Sequence, residues 1–221
     1  MEMRMRVFVI GGSPGEQPPR GMAPGPHDSV IAADYGAHTA RVWGWPVHLL
    51  VGDLDSLPPH ETETLRAQGI PVITAPQAKD ETDLELALAH ALDDGAREIV
   101  ICAALGGRTD HLLANVLLLA HPALTGVQAM IADGPVTIRL MRAESEGATS
   151  YLELEGATDD LLSLLPVGGD AAGVSTRGLA YPLRDETLYL GHARGVSNVF
   201  ESATAGVWLR EGLLLVIHTS Q

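Results

Sequence analysis

The chain has 221 residues, 46% of them hydrophobic, enough to bury a substantial core and to exclude long-range disorder. Aromatic residues are only 4%, so the apolar mass is aliphatic and favours a layered α/β interior over a stacking platform for nucleic acid. With 14 Lys+Arg against 28 Asp+Glu the formal net charge is −14, which repels a phosphodiester backbone and argues against nucleic acid as a partner.

Residues 7–10 form a short β-branched run that opens a series of apolar strands separated by Ala- and Leu-rich stretches. Further strands are predicted near 29–33, 47–51, 71–74, 99–103 and 127–132, each a compact apolar run suited to a sheet covered on both faces. Between the first two lies segment 11–26, rich in Gly and Pro, which is either a mobile lid or a long connection. A helix is predicted over 82–93, with Leu84, Leu88, Ala91 and Leu92 on one broad face and Gly95 as its stop. Another begins near Asp110, carries Leu112, Leu113, Val116, Leu117 and Ala120, and ends at Pro122.

After about residue 133 the helical period gives way to alternating segments such as 136–140 and 213–218, set between Gly and polar turns. Residues 209–213 read as a tight hairpin, and the last strand is placed to close a sandwich. The predicted fold is α/β plus all-β: an N-terminal open, mostly parallel sheet with flanking helices over 1–132, and a C-terminal β-sandwich over 133–221.

Cys102 is the sole cysteine, so neither an intrachain disulfide nor a cysteine-pair zinc cluster can form, which fits a reducing compartment. The opening residues 1–6 lead into an apolar run too short for a signal-peptide core, and no run approaches a membrane span. A cytoplasmic protein is expected, with no membrane partner. Lys79 is the only lysine, and no Walker-type loop exists.

Open α/β sheets bind ligands at the carboxyl ends of their strands. Here each predicted strand ends near glycine or aspartate: Gly11-Gly12-Ser13, Asp34, Gly52-Asp53-Leu54-Asp55-Ser56, Lys79-Asp80-Glu81-Thr82-Asp83, Gly106-Gly107-Arg108-Thr109-Asp110-His111, and Asp133. Any one such aspartate is commonly a cap or turn former; six ends sharing one edge are harder to dismiss. Asp53 and Asp55, two apart, leave an extended backbone on the same side and either ligate one Mg²⁺ or close an Asx turn. Asp80 and Asp83 flank a helix entry, where the first can serve as its cap. Residues 106–111 combine a flexible turn, a guanidinium suited to phosphate and a helix start, with Asp110 also a candidate N-cap; Asn115 follows one turn after His111. Carboxylates for Mg²⁺ and cations for phosphate fit transfer from a nucleoside triphosphate.

The strings V-G-D-L-D-S (51–56), K-D-E-T-D-L-E-L-A-L (79–88), L-G-G-R-T-D-H-L-L-A-N (105–115) and G-V-S-N-V-F (195–200) together resemble the ordered motifs of the thiamine pyrophosphokinase family. The resemblance implies Mg²⁺-dependent transfer of the pyrophosphoryl group of ATP to the hydroxyl of thiamine. It also implies a homodimer, with thiamine between the α/β domain of one subunit and the β domain of the other. On this resemblance Asp53, Asp55 and Asp83 hold metal; Asp53, Asp55, Asp80, Asp83, Arg108 and Asp110 form the catalytic set. Asp34, Thr82, Gly107, Arg108, His111, Asn115 and Asp133 face ATP, and Ser197 and Asn198 reach thiamine. Thr176, Gly178, Leu179 and Tyr181 resemble a family segment that is mostly packing and turn. One departure stands out: Ala33-Asp34-Tyr35-Gly36-Ala37 places Tyr where the family has glycine. Trp208 is a candidate to stack on thiamine, or else a buried strand tryptophan. Rival readings are a pyrophosphokinase for another alcohol, a phosphohydrolase using the same carboxylates, and a non-catalytic sensor.

Overall fold

The computed structural model describes residues 6–15, 17–143 and 148–221. Of the segments discussed above, residues 1–5 and Glu16 in the Gly/Pro-rich loop lie outside this range. The chain divides into two compact units, Met1–Gly134 and Pro135–Gln221.

In the first unit six strands form a parallel sheet: β1 (Arg6–Ile10), β2 (Ser29–Ala33), β3 (Leu49–Gly52), β4 (Val72–Thr74), β5 (Glu98–Cys102) and β6 (Gln128–Asp133). Their order is β6-β5-β1-β2-β3-β4, so the chain winds outward from β1 to β4, then returns to pair β5 with the other side of β1. That reversal is a topological switch point, where loops after β1 and β5 diverge and leave a crevice at the carboxyl ends. The strands occur where the apolar runs place them, with one difference. β4 is an exposed edge strand rather than one covered on both faces, which suits its three-residue length and the Pro71 before it.

Four helices accompany the sheet: α1 (Gly36–Val42), α2 (Pro59–Ala67), α3 (Asp83–Asp93) and α4 (Thr109–Leu118). α3 buries Leu84, Ala87, Leu88 and Ala91, the predicted stripe, and Thr82 is its N-cap, with Oγ1 accepting from the Glu85 N–H at 3.2 Å. The cap is thus Thr82 and not Asp80, because Thr82 holds the extended backbone that a cap needs. α4 begins at Thr109, with Arg108 in the cap position and Asp110 inside the first turn. One core of this unit joins Phe8, Ile10, Val30, Val100 and Cys102, with Trp43 and Trp45 packed against it. Cys102 is buried there, and burial raises its thiol pKa well above the ordinary value.

The second unit contains β7 (Val136–Arg142), β8 (Ser150–Glu155), β9 (Leu161–Pro166), β10 (Ala171–Arg177), β11 (Glu186–Leu188), β12 (Asn198–Val199), β13 (Thr204–Leu209) and β14 (Leu213–Thr219). They form antiparallel sheets in the orders β12-β9-β14-β7 and β11-β10-β13-β8. Leu154, Leu162, Leu164, Val174, Phe200, Val207, Leu209 and Leu214 fill the core of this β-sandwich.

Residues 209–213 do not make the expected hairpin. β13 pairs with β8 and β10, whereas β14 lies between β7 and β9, so the connection passes from one sheet to the other. Arg210 and Glu211 donate their N–H groups to the Ala172 carbonyl, and Gly212 takes φ +94° against the Asp170 carbonyl. The turn is thereby tied to β10, and Leu209 and Leu214 enter one core from opposite sheets. Trp208 is half-buried, its ring tilted 32° against Tyr151 with centroids 4.7 Å apart and the Arg177 guanidinium 5.7 Å away.

Candidate active site

The carboxyl ends of the parallel sheet open on a crevice of about 740 Å³, within the range of small-molecule sites. The Gly11–Pro14 turn after β1 forms part of its wall, with Asp34 and Tyr35 after β2 and Asp53, Asp55 and Ser56 after β3. Lys79, Thr82 and Asp83 lead into α3, and Gly106, Gly107, Arg108, His111 and Asn115 complete the wall from the α4 side.

Asp34, Asp53 and Asp83 each offer a carboxylate oxygen within 4.8 Å of the other two. Three chain segments, distant in sequence, thus bring hard oxygen donors to one point. Asp34 sits at φ +46°, and its Oδ2 accepts a hydrogen bond from Ser56, while Oδ1 is buried without a partner among the described residues. Burial is the main cause that raises the Asp34 pKa, reinforced by the charges of Asp83, Asp53 and Asp55 and partly offset by the Ser56 hydroxyl. Lys79 Nζ donates to Asp83 Oδ1 at 2.7 Å and lies 3.9 Å from Asp53 Oδ2. Burial acts against the lysine's charge, but the Asp83 hydrogen bond and the surrounding carboxylates prevail, so its pKa is raised.

The sequence-derived metal set was Asp53, Asp55 and Asp83; the structure groups Asp34 with Asp53 and Asp83 and leaves Asp55 beside them. Asp55 is exposed, its N–H donates to Asp53 Oδ1 at 3.2 Å, and its Oδ2 accepts from Gln77 at 3.2 Å. Leu54, at φ +64°, turns the backbone between the two aspartates, so the extended geometry that would put both on one side is not present.

Arg108 and Asp110 form an exposed bidentate pair, with Nε to Oδ1 at 3.1 Å and Nη2 to Oδ2 at 2.6 Å. The arginine's hydrogen bond holds the Asp110 pKa down to about 2. Arg108 lines the crevice, whereas Asp110 and Asp80 are not among the residues of its wall. Asn115 is buried and donates Nδ2 to the Ala104 carbonyl at 2.9 Å, fixing the β5 loop from α4.

Asp133 does not reach the crevice. Its buried carboxylate accepts from the N–H groups of Ala103, Ala104 and Leu105, and so shapes the loop after β5 that carries Gly106 and Arg108. In the second unit Asn198 is likewise occupied: Oδ1 accepts from the Tyr181 N–H and Nδ2 donates to the Tyr181 carbonyl at 2.7 Å. Ser197, at φ +59°, is exposed. Thr176 accepts from the Leu183 N–H, and Leu179 lies in the core.

Tyr35 stands where the family motif has glycine. It adopts φ −57° and ψ −15°, ordinary helical angles, so the turn does not need glycine there. Sequence reasoning did not single out His38 and Glu61: the Tyr35 ring stacks on His38 at 4.8 Å, and His38 Nδ1 lies 2.7 Å from buried Glu61.

Family comparison matches residues 26–131 to the thiamin pyrophosphokinase catalytic domain and residues 150–214 to the thiamin pyrophosphokinase vitamin B1 binding domain. Among curated relatives, the thiamine pyrophosphokinase of Bacillus subtilis is 28% identical over 195 residues, 88% of each chain. The crystal structure of a thiamin pyrophosphokinase family protein from Enterococcus faecalis superposes with a TM-score of 0.82 at 28% identity, over 98% of this chain and 99% of that one. Yeast thiamin pyrophosphokinase, at 16% identity and a TM-score of 0.72, shares the fold. The first match falls inside the unit that holds the carboxylate crevice and the second inside the sandwich, in the order that the motifs run, and the chain belongs to the thiamine pyrophosphokinase family.

Proposed function

We propose that the first-unit crevice is where this chain transfers the pyrophosphoryl group of ATP to the hydroxyl of thiamine, giving thiamine diphosphate and AMP. The observation that carries the assignment is the convergence of Asp34, Asp53 and Asp83 beside the only lysine, on the wall of a nucleotide-sized crevice in a member of this family. The buried, partnerless Asp34 Oδ1 and the all-carboxylate donor set fit Mg²⁺, which Asp34, Asp53 and Asp83 would hold. When bound, Mg²⁺ supplies charge neutralisation for the triphosphate.

The chain's own residues do the rest. Lys79, kept protonated by its carboxylate neighbours, offers a fixed cation to phosphate oxygens. Arg108 can exchange the Asp110 carboxylate for a phosphate with the same bidentate geometry, since both partners are exposed. The His111 N–H in the first turn of α4 donates to Asp110 Oδ1 at 3.0 Å, so a phosphate that displaces the Asp110 carboxylate from Arg108 would take over that N–H as well. The thiamine oxygen forms a bond to the β-phosphorus, the bridge to the α-phosphate breaks, and AMP departs with that bridging oxygen. Asp55, in the crevice wall but outside the triad, accepts the hydroxyl proton. Ser197 meets thiamine, while Asn198 sets the Tyr181 loop rather than the ligand.

The assembly is a homodimer in the cytoplasm, a reading supported by the family motifs; no helix of the described residues is long and apolar enough to cross a membrane. The test is to incubate the protein with Mg·ATP and thiamine and resolve the products. AMP and thiamine diphosphate in equal amounts are expected, and Asp83→Ala should lower the rate by at least about a hundredfold. ATP consumed without thiamine diphosphate would point instead to hydrolysis or another acceptor.

A further inference from the structure

The motif set leaves one feature of the crevice wall unexplained. Tyr35 and His111 carry the only aromatic rings among the described residues that line it. His111 lies on the first turn of α4, next to Arg108, where the phosphate contacts gather. Tyr35 follows Asp34 after β2, two strands along the sheet edge from β5, and is only half-buried. Its ring is backed by His38 at 4.8 Å with 29° between planes. His38 is itself held: Glu61, buried on α2, lies 2.7 Å from its Nδ1 and accepts from Arg41 at 3.1 Å. Burial opposes the Glu61 charge, yet the hydrogen bonds from His38 and Arg41 outweigh it and lower its pKa, so the brace is an anchored carboxylate. A side chain of two rotatable bonds, covered from behind by an imidazole tied to a second helix, is a rigid flat wall of the kind that receives a planar base.

We propose that Tyr35 is the stacking wall for the adenine ring of ATP, with His38 and Glu61 as its positioning residues. This inference rests on the pyrophosphokinase reading for the identity of the nucleotide. Adenine is favoured over the rings of thiamine because the vitamin B1 binding match covers residues 150–214, in the second unit, while Tyr35 stands in the unit matched by the catalytic domain. Tyr35 occupies an ordinary helical conformation, so its removal does not strain the Asp34 turn.

The experiment measures, by calorimetry and without thiamine, the affinities of Mg·ATP and of magnesium tripolyphosphate, which carries the phosphates but no base. Tyr35→Ala is expected to weaken Mg·ATP about tenfold, as loss of one aromatic–base stack does, and to leave tripolyphosphate unchanged. Tyr35→Phe should bind ATP like the parent, and His38→Ala should fall between the two. Thermal melts check that each variant is folded. Unchanged ATP affinity in Tyr35→Ala overturns the proposal. So does an equal loss for both ligands, which would assign Tyr35 to the shape of the turn. ATP affinity unchanged in His38→Ala would remove the brace. A parent protein that makes no thiamine diphosphate would defeat the activity reading, while the comparison of ATP with tripolyphosphate would still decide the wall.

Discussion

Asp34 is held where its own charge is disfavoured. Burial, then the neighbouring aspartates, raise its pKa in the folded chain above the ordinary aspartate value, despite the Ser56 hydroxyl. The folded state therefore binds this proton more tightly than the unfolded state. At neutral pH the ionised carboxylate subtracts from stability, and the loss is relieved as pH falls through the raised value. Asp34→Asn removes the charge and keeps the shape, so it should raise Tm by a few degrees in the absence of Mg²⁺ while lowering turnover at least about a hundredfold. Scanning calorimetry with and without Mg·ATP checks this: the ligand should stabilise the parent and not the variant, and a lower Tm in Asp34→Asn would contradict the argument. The same residue shows what a sequence can convey about the site. An aspartate after a strand looks alike whether it faces solvent, ligand or backbone. Asp34 joins Asp53 and Asp83 because three loops converge, whereas Asp133 is consumed by three N–H groups of the β5 loop. Local spacing carries neither fact, nor does it carry the positive φ at Leu54 that turns the backbone between Asp53 and Asp55.

At the level of elements, the β2–α1 turn depends on Gly36 and not on the position before it. A Cβ on Gly36 would stand 2.0 Å from the Ile10 carbonyl oxygen, where β1 backbone cannot give way. Gly36→Ala should therefore destabilise the first unit by about 1–3 kcal/mol or more, read by urea unfolding, and carry Asp34 out of register. A loss below about 0.5 kcal/mol would show that α1 can shift freely. Strands β1 to β6 and helices α3 and α4 were legible because their apolar residues repeat with the period of the element. α2 was not, since its buried residues are the polar Glu61 and Thr62, of which Glu61 pairs across to His38 on α1. Alternation also located β13 and β14 but could not reveal their partners. Both alternate correctly for a core-facing strand, and which sheet each joins depends on Gly212 and the bonds to Ala172.

Across the whole chain the acidic excess works in two directions. Asp28 in the first unit and Asp160 in the second have lowered pKa values, although burial acts against both. For Asp28 the guanidinium of Arg6 is the chief counterweight; for Asp160 it is the N–H groups of Ala157 and Gln221, followed by His218. These carboxylates contribute stability that is present above the ordinary carboxylate range and is lost as pH falls through their lowered values. Asp34 and Asp133 act oppositely, because burial raises both. Asp160 is the clearest of the first kind. Its Oδ2 lies 2.9 Å from the Ala157 N and from His218 Nε2, and its Oδ1 is 3.0 Å from the Gln221 N, so one buried side chain ties the start of β9 to the end of the chain. Asp160→Asn keeps the volume and removes the charge. Its Tm should lie well below the parent's near neutral pH, and the gap should narrow as the pH falls below the ordinary carboxylate range, where the unfolded chain takes up the proton first and the folded carboxylate follows at its lowered value. Circular-dichroism melts of both proteins across that range decide the matter. A gap that stays constant with pH would mean that the side chain's shape, and not its charge, holds the second unit's terminus in place.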